Sequence, residues 1–378
     1  MVRSGPGAML GSGDVTSNRK REHLDIVSSE VAEAERAAGW DDVHLVPAAL
    51  PEVSLDEIDL TTSLTGVELS APLVISAMTG GHGAAAVVNG RLASAAQELG
   101  IALGVGSQRA ALRDPRLRPT YAVVRKNAPD ALVIGNLGIC QLIAQGDEPP
   151  FGPTEIDAAV DMVGAQLLAI HLNVVEELIQ PEGDRATTGL FAALGEVIEA
   201  CPVPVMVKET GAGLDADTAR AVVGAGAAVL DVGGAGGTSF ARVEGIRAES
   251  RGDARGARLG TTFADWGIPT AASIVECRSL GVPLVATGGI RTGLDAAKAL
   301  ALGADLVAIG RPALVAARQG AAALRQLLEG ILEELRVAMV LCGARTPDLL
   351  RERPPVLTGV TLAWQQQRAG RHRRPGAT

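Results

Sequence analysis

The chain predicts an α/β fold of the TIM (β/α)8 barrel class, with an N-terminal extension packing on the barrel mouth. Three observations carry this. Eight short apolar runs lie between Leu73 and Pro312, each closing on polar residues or glycine. The stretches between them are rich in alanine and leucine at helical spacing, which is the alternation of a closed parallel barrel. And 378 residues, 47% hydrophobic and 20% charged, suffice for a barrel of about 250 residues as a single domain.

Taken in order, residues 1–18 (MVRSGPGAMLGSGDVTSN) are polar and glycine-rich without the apolar centre of a secretory signal, and are expected to form a disordered leader. Arg19 to Arg36 reads as a helix, and Val43 to Leu69 as loops and short strands. This extension, residues 19–70, is too small to fold alone and is expected to lie over the barrel's open end. The eight runs follow as PLVISAMTGG, IALGVGSQR, ALVIGNLG, LLAIHLN, PVMVKETG, AVLDVGGAGG, PLVATGGIR and LVAIGRP. Ala316 to Val340 repeats leucine and alanine at helical spacing and should close the outer ring. The barrel domain is read as residues 19–350, and 351–378 as a C-terminal segment whose basic end, RAGRHRRPGAT, is expected to be solvated and disordered.

Composition removes several function classes. A net charge of −9 and a pI near 5.2, with no basic stripe, argue against a nucleic-acid surface. No apolar run reaches the roughly 18 residues of a membrane span. Cys140, Cys201, Cys277 and Cys342 are far apart without metal-ligand spacing, as in a cytoplasmic protein with reduced thiols.

Catalytic groups of such barrels project from the C-terminal strand ends, and a phosphate commonly sits after strands seven and eight. Those loops read TGGIRTGLD and IGRPAL here, combining glycine with Arg291 and Arg311, so a phosphate-bearing cofactor is expected. The strand period in PVMVKE turns Met206 and Lys208 inward, where a lysine can stabilise the negative edge of a reduced flavin. The loop DVGGAGGTSF offers bare backbone and the Thr238 hydroxyl. On strand four His171 and Asn173 share a face and Glu176 and Glu177 follow; these carboxylates read either as ligands of a hard cation such as Mg²⁺ or as helix-start glutamates satisfying the helix dipole.

The set RKREH, SAMTGG, GVGSQR, HLNVVEELIQPEGDR, VKETGAG, GGAGGTSF, DWGIPTAAS and GGIRTGLDAAKALALGAD resembles type 2 isopentenyl-diphosphate delta-isomerases, over roughly Arg19 to Leu350. The resemblance implies an FMN-binding barrel, tetrameric or octameric, that interconverts isopentenyl and dimethylallyl diphosphate with reduced FMN, NADPH as reductant, and Mg²⁺. It implies that Ala77, Met78, Thr79, Ser107, Asn136, Lys208, Gly233, Thr238, Gly289 and Arg291 line FMN, with Gly310 and Arg311 at its phosphate. Arg19, Lys20, His23, Ser107, Gln108, Arg109 and Glu176 would contact the diphosphate substrate, Glu177 the metal, and His171, Asn173 and Glu176 the reacting groups.

The chain departs from the family pattern in four places. Glu176 stands where the family has a substrate-touching glutamine, which adds charge beside a diphosphate and could redirect the enzyme to another prenyl diphosphate or silence it. Gly233 replaces a hydroxyl-bearing residue, Gly310-Arg311 a small-apolar pair, and Phe240 a frequent tryptophan. An FMN-dependent 2-hydroxy-acid oxidase shares the barrel and the strand-five lysine, but the histidine and arginine expected after strand six are absent from GGAGGTSF.

Overall fold

The computed structural model describes residues 22–369. Arg19, Lys20, the leader 1–18 and the tail 370–378 lie outside the described residues.

All eight apolar runs form barrel strands: β4 (Leu73–Ile75), β5 (Ala102–Gly104), β6 (Val133–Gly138), β7 (Leu167–Leu172), β8 (Val205–Glu209), β9 (Val229–Asp231), β10 (Leu284–Thr287) and β11 (Leu306–Ile309). They pair in parallel and close in the order β10-β11-β4-β5-β6-β7-β8-β9. The period of two divides each run between two cores. Val74, Ala102, Ile134, Ala169, Met206, Val229, Val285 and Ala308 fill the barrel interior. Leu73, Ile75, Leu103, Val133, Leu168, Ile170 and Val207 face the helices. Runs buried on both faces therefore read as continuously apolar.

The extension divides where a single covering element was expected. A hairpin of β2 (Thr62–Leu64) and β3 (Val67–Leu69) packs Leu64 and Leu69 against the interior core, plugging the N-terminal end of the barrel and not its mouth. Only the earlier part covers the mouth, and among the described residues its helix is 22–27, ending before Ser28 instead of running on to Arg36. The Ser28 and Ser29 hydroxyls donate back to the carbonyls of Leu24 and Ile26, both at 2.6 Å, a local alternative that competes with helix continuation. The chain then makes a 3-10 turn over Glu30–Ala32 and passes beside the loop after β9: Ser239 N donates to Ala32 O and Ala34 N to Gly237 O, both at 2.9 Å.

The outer helix expected over Ala316 to Val340 is two helices, Arg311–Gln319 and Ala321–Cys342, separated at Gly320. Leu324, Leu328, Ile331, Leu335 and Met339 form the buried stripe of the second; burying each such side chain is worth roughly 1.5–3 kcal/mol. Beyond it β12 (Val356–Leu357) pairs antiparallel with β1 (Val43–His44), and the helix Gly359–Ala369 docks on the barrel shell. Arg368, placed by sequence in a solvated tail, donates to Glu276 at 2.6 Å and 3.1 Å, so the ordered chain reaches further than composition suggests.

Candidate active site

Two residues beyond the interior core, the same strand faces emerge at the mouth as Ser76, Asn136, His171, Lys208 and Thr287, all lining one cavity. Ala77, Met78, Thr79, Ser107, Asn173, Glu176, Glu177, Gly233, Thr238, Gly289, Arg291, Gly310 and Arg311 line it too, with His23 and Arg109. Gln108 does not. It is wholly buried, its amide donating to Ala159 O at 2.8 Å while its oxygen accepts from Asn136 N at 2.9 Å, so it braces the strand ends from outside the cavity.

The Asn136 amide donates to Val105 O at 3.0 Å, which leaves its oxygen to accept from His171 Nδ1 at 2.8 Å and so fixes the imidazole. Lys208 is buried, donates to Glu209 O at 3.1 Å and lies 3.5 Å from Asp231 Oδ2. Both side chains are thereby held at the cavity wall.

The two glutamates have different surroundings. Glu177 is buried, accepting from Asn173 Nδ2 at 3.1 Å, from Asp184 N at 2.8 Å and from Gln180 Nε2. Arg109 forms a two-pronged pair with Asp184 at 2.7 Å and 3.2 Å and lies 3.7 Å from Glu177. Glu176 instead faces the covering helix, 4.0 Å from His23 Nδ1, while His23 Nε2 meets Glu244 Oε1 at 2.5 Å. One ligand atom each from His23, Glu176 and Glu244 lies within 4.8 Å of the others, so this trio, or Glu177, is where the described residues could hold a cation.

Glu244 and Arg247, which no sequence motif marks, stand behind His23 at the edge of the cavity. Glu244 is fully buried; burial opposes its charge, but His23 and Arg247 hold its carboxyl below the ordinary range. Arg247 in turn bonds Glu244 at 2.5 Å, Glu182 at 2.6 Å and Glu22 at 3.1 Å, stitching the covering helix to the loop after β7. The available signal was two charges, three residues apart, on the same helix stripe as Ala241 and Ala248.

Arg291 and Arg311 converge on one internal carboxylate. Glu33 Oε1 accepts from Arg291 at 3.0 Å and from Arg311 at 2.5 Å, and Arg311 Nε also donates to Val27 O at 2.9 Å. The glycines beside them serve loop packing first. Gly233 has φ +47°, and a Cβ there would lie 2.0 Å from Glu209 O; one on Gly288 would lie 2.3 Å from Gly234 O.

Among the described residues, three buried side-chain oxygens of the cavity wall, Thr79 Oγ1, Thr287 Oγ1 and Asn173 Oδ1, have no partner. Buried polar atoms are nearly always satisfied, so the wall is built for a polar ligand. A flavin ring with its carbonyls and ring nitrogens matches that donor and acceptor set.

Residues 187–354 match the family model described as FMN-dependent dehydrogenase. An isopentenyl-diphosphate delta-isomerase of Methanothermobacter thermautotrophicus is 45% identical over 93% of this chain and 96% of its own. The one of Methanoregula boonei is 47% identical over 89% and 93%, and that of Halobacterium salinarum 44% over 93% and 97%. Among solved structures, a Pediococcus acidilactici protein described as a lactate oxidase superposes with a TM-score of 0.66 at 16% identity, covering 94% of this chain and 96% of its own. A mandelate oxidase with (S)-2-phenylpropionate gives 0.59 at 22%, covering 93% and 100%. At these identities the oxidases share the fold alone.

Proposed function

The chain belongs to the isopentenyl-diphosphate delta-isomerase family in its FMN-barrel, type 2 form, and from that premise we propose that it interconverts isopentenyl and dimethylallyl diphosphate at the barrel mouth. The observation that carries the reading is 45% identity to an isomerase across 93% of the chain. Reduced FMN, when bound, supplies an electron-rich ring and a proton-bearing nitrogen beside the alkene. The residues around it bind, orient and exclude water. Thr79, Thr287 and Asn136 fit as hydrogen-bond partners of the ring, Lys208 as the counter-charge of its anionic edge, and Gly289, Arg291, Gly310 and Arg311 as the surround of its phosphate.

The diphosphate is an anchor with no covalent role, which fixes the alkene and spends its binding energy on orientation. His23, Arg109 and Ser107 line the cavity and fit that anchor; Arg19 and Lys20 belong to the same proposal through the family pattern. His171 and Asn173 present polar groups at the reacting end, His171 held by Asn136. Glu177 is the proposed Mg²⁺ ligand: its Oε1 accepts from Asn173 and lies 3.7 Å from Arg109 Nη1, whereas Oε2 is held by Gln180 and Asp184. The helix over residues 22–27 shields the cavity from water, which protects a cationic transition state. NADPH as reductant, a homotetramer or homo-octamer, and a cytoplasmic site complete the proposal.

The test is isopentenyl diphosphate in D₂O with NADPH-reduced or photoreduced enzyme and Mg²⁺. Dimethylallyl diphosphate carrying deuterium is expected; no exchange by protein that holds FMN and Mg²⁺ overturns the reading. A second reading, action on another prenyl diphosphate, is favoured by Glu176 and is tested by offering longer allylic diphosphates in the same assay.

A further inference from the structure

We infer that Glu33 is an internal substitute for the cofactor phosphate, and that FMN binds by taking Arg291 and Arg311 from it. The inference rests on the reading that FMN's phosphate enters between the loops after β10 and β11. Both arginines come from those loops, yet both aim at a carboxylate delivered by the N-terminal extension, at 3.0 Å and 2.5 Å. Each contact is a charge-assisted hydrogen bond of the kind arginine makes equally to carboxylate and phosphate. The Glu33 main chain is fixed: its carbonyl accepts from Arg242 Nη1 at 2.9 Å, the next residue's N–H donates to Gly237 O at 2.9 Å, and Glu33 bridges Thr238. The carboxylate therefore stays within reach of the arginines whatever occupies the site, and only its side chain has to turn.

Two consequences follow from the charges. Without a phosphate the arginines are already partnered and oriented, so the loops do not lose their shape when empty. With one, a dianion and Glu33 compete for the same two guanidinium groups, and the carboxylate penalises every phosphorylated flavin while leaving riboflavin, which has no phosphate, untouched. Glu33 thus lowers the preference of the site for FMN over riboflavin and keeps cofactor exchange possible.

The experiment is equilibrium titration of flavin-free protein with FMN and with riboflavin, followed by flavin fluorescence, for the parent chain, Glu33→Gln and Glu33→Ala. Both variants are expected to bind FMN about tenfold more tightly, with riboflavin affinity unchanged within about twofold, the size expected for removing one competing charged partner. Riboflavin binding doubles as the check that the mouth has kept its shape. Weaker FMN binding in either variant would mean that Glu33 positions the arginines for the phosphate, and unchanged FMN binding that the two anions do not compete; each result overturns the inference. Failure of the parent chain to bind FMN at all would overturn the cofactor reading beneath it, an outcome distinct from an unresponsive Glu33.

Discussion

The position before Glu177 decides how much negative charge meets the diphosphate. Glu176 lines the cavity beside His23, so its carboxylate faces the same anion that His23 and Arg109 are proposed to hold. Two like charges about 8 Å apart at an effective dielectric near 20 repel by roughly 2 kcal/mol. Glu176→Gln keeps an oxygen to accept from Asn173, now 3.3 Å away, and removes the charge. Its kcat/KM for isopentenyl diphosphate should rise about tenfold or more, or about 1.4 kcal/mol; an unchanged steady-state value would show that the carboxylate is protonated or turned away during turnover. Gly233 tests the opposite kind of departure. Because its φ of +47° and the Glu209 carbonyl leave no room for a Cβ, restoring a hydroxyl as Gly233→Ser should cost roughly 2 kcal/mol or more of stability in urea unfolding, not improve the site.

Among the elements, strands were legible and their connections less so. Each barrel strand is an apolar run with a polar end, and the period of two fixed which residues reach the mouth; Lys208 and His171 follow from that arithmetic. The covering segment carries no such period. Its course is set by contacts hundreds of residues distant, such as Trp40 donating to Gly289 O at 3.0 Å and Lys298 to Trp40 O at 2.8 Å, which no local pattern announces. The C-terminal helix Gly359–Ala369 is another such case, held by Trp364 and Arg368 on the buried Glu276 carboxylate, at 2.7 Å and 2.6 Å for the shortest contacts. Burial pushes the Glu276 carboxyl upward, but Arg368, the Ala216 N–H and Trp364 outweigh it and hold it below its ordinary 4.5. A depressed native value means that the tether contributes fully above pH 4.5 and is lost as pH falls through and below that value. Glu276→Ala should therefore lose about 2–3 kcal/mol at pH 7, and the gap to the parent should narrow in urea unfolding as the pH falls below 4.5. A gap that persists in acid would assign the loss to packing and not to charge.

For the whole molecule, barrel class and the location of the mouth were legible because both depend on repeated local pattern, whereas the reach of Glu244 and Arg247 to His23, Glu22 and Glu182, and that of Glu33 to its arginines, were not, because each is a pairing between distant elements. The same distinction governs how charge acts on ligands. The chain carries a formal −9, so its long-range field repels FMN and diphosphates alike. At the mouth, by contrast, His23, Arg109, Lys208, Arg291 and Arg311 surround the cavity, at positions from buried to one-third exposed. Salt acts unequally on these two scales, since the Debye length shortens from about 30 Å at 0.01 M to about 8 Å at 0.15 M, while contacts made inside the cavity are screened much less. Repulsion by the distant acidic surface should therefore disappear first. FMN affinity is expected to hold or to rise by up to about threefold between 0.01 M and 0.15 M salt, measured by equilibrium titration of flavin-free protein. A loss of tenfold or more over that interval would mean that exposed cations at the rim dominate binding, and would move the phosphate away from Arg291 and Arg311 to the protein surface.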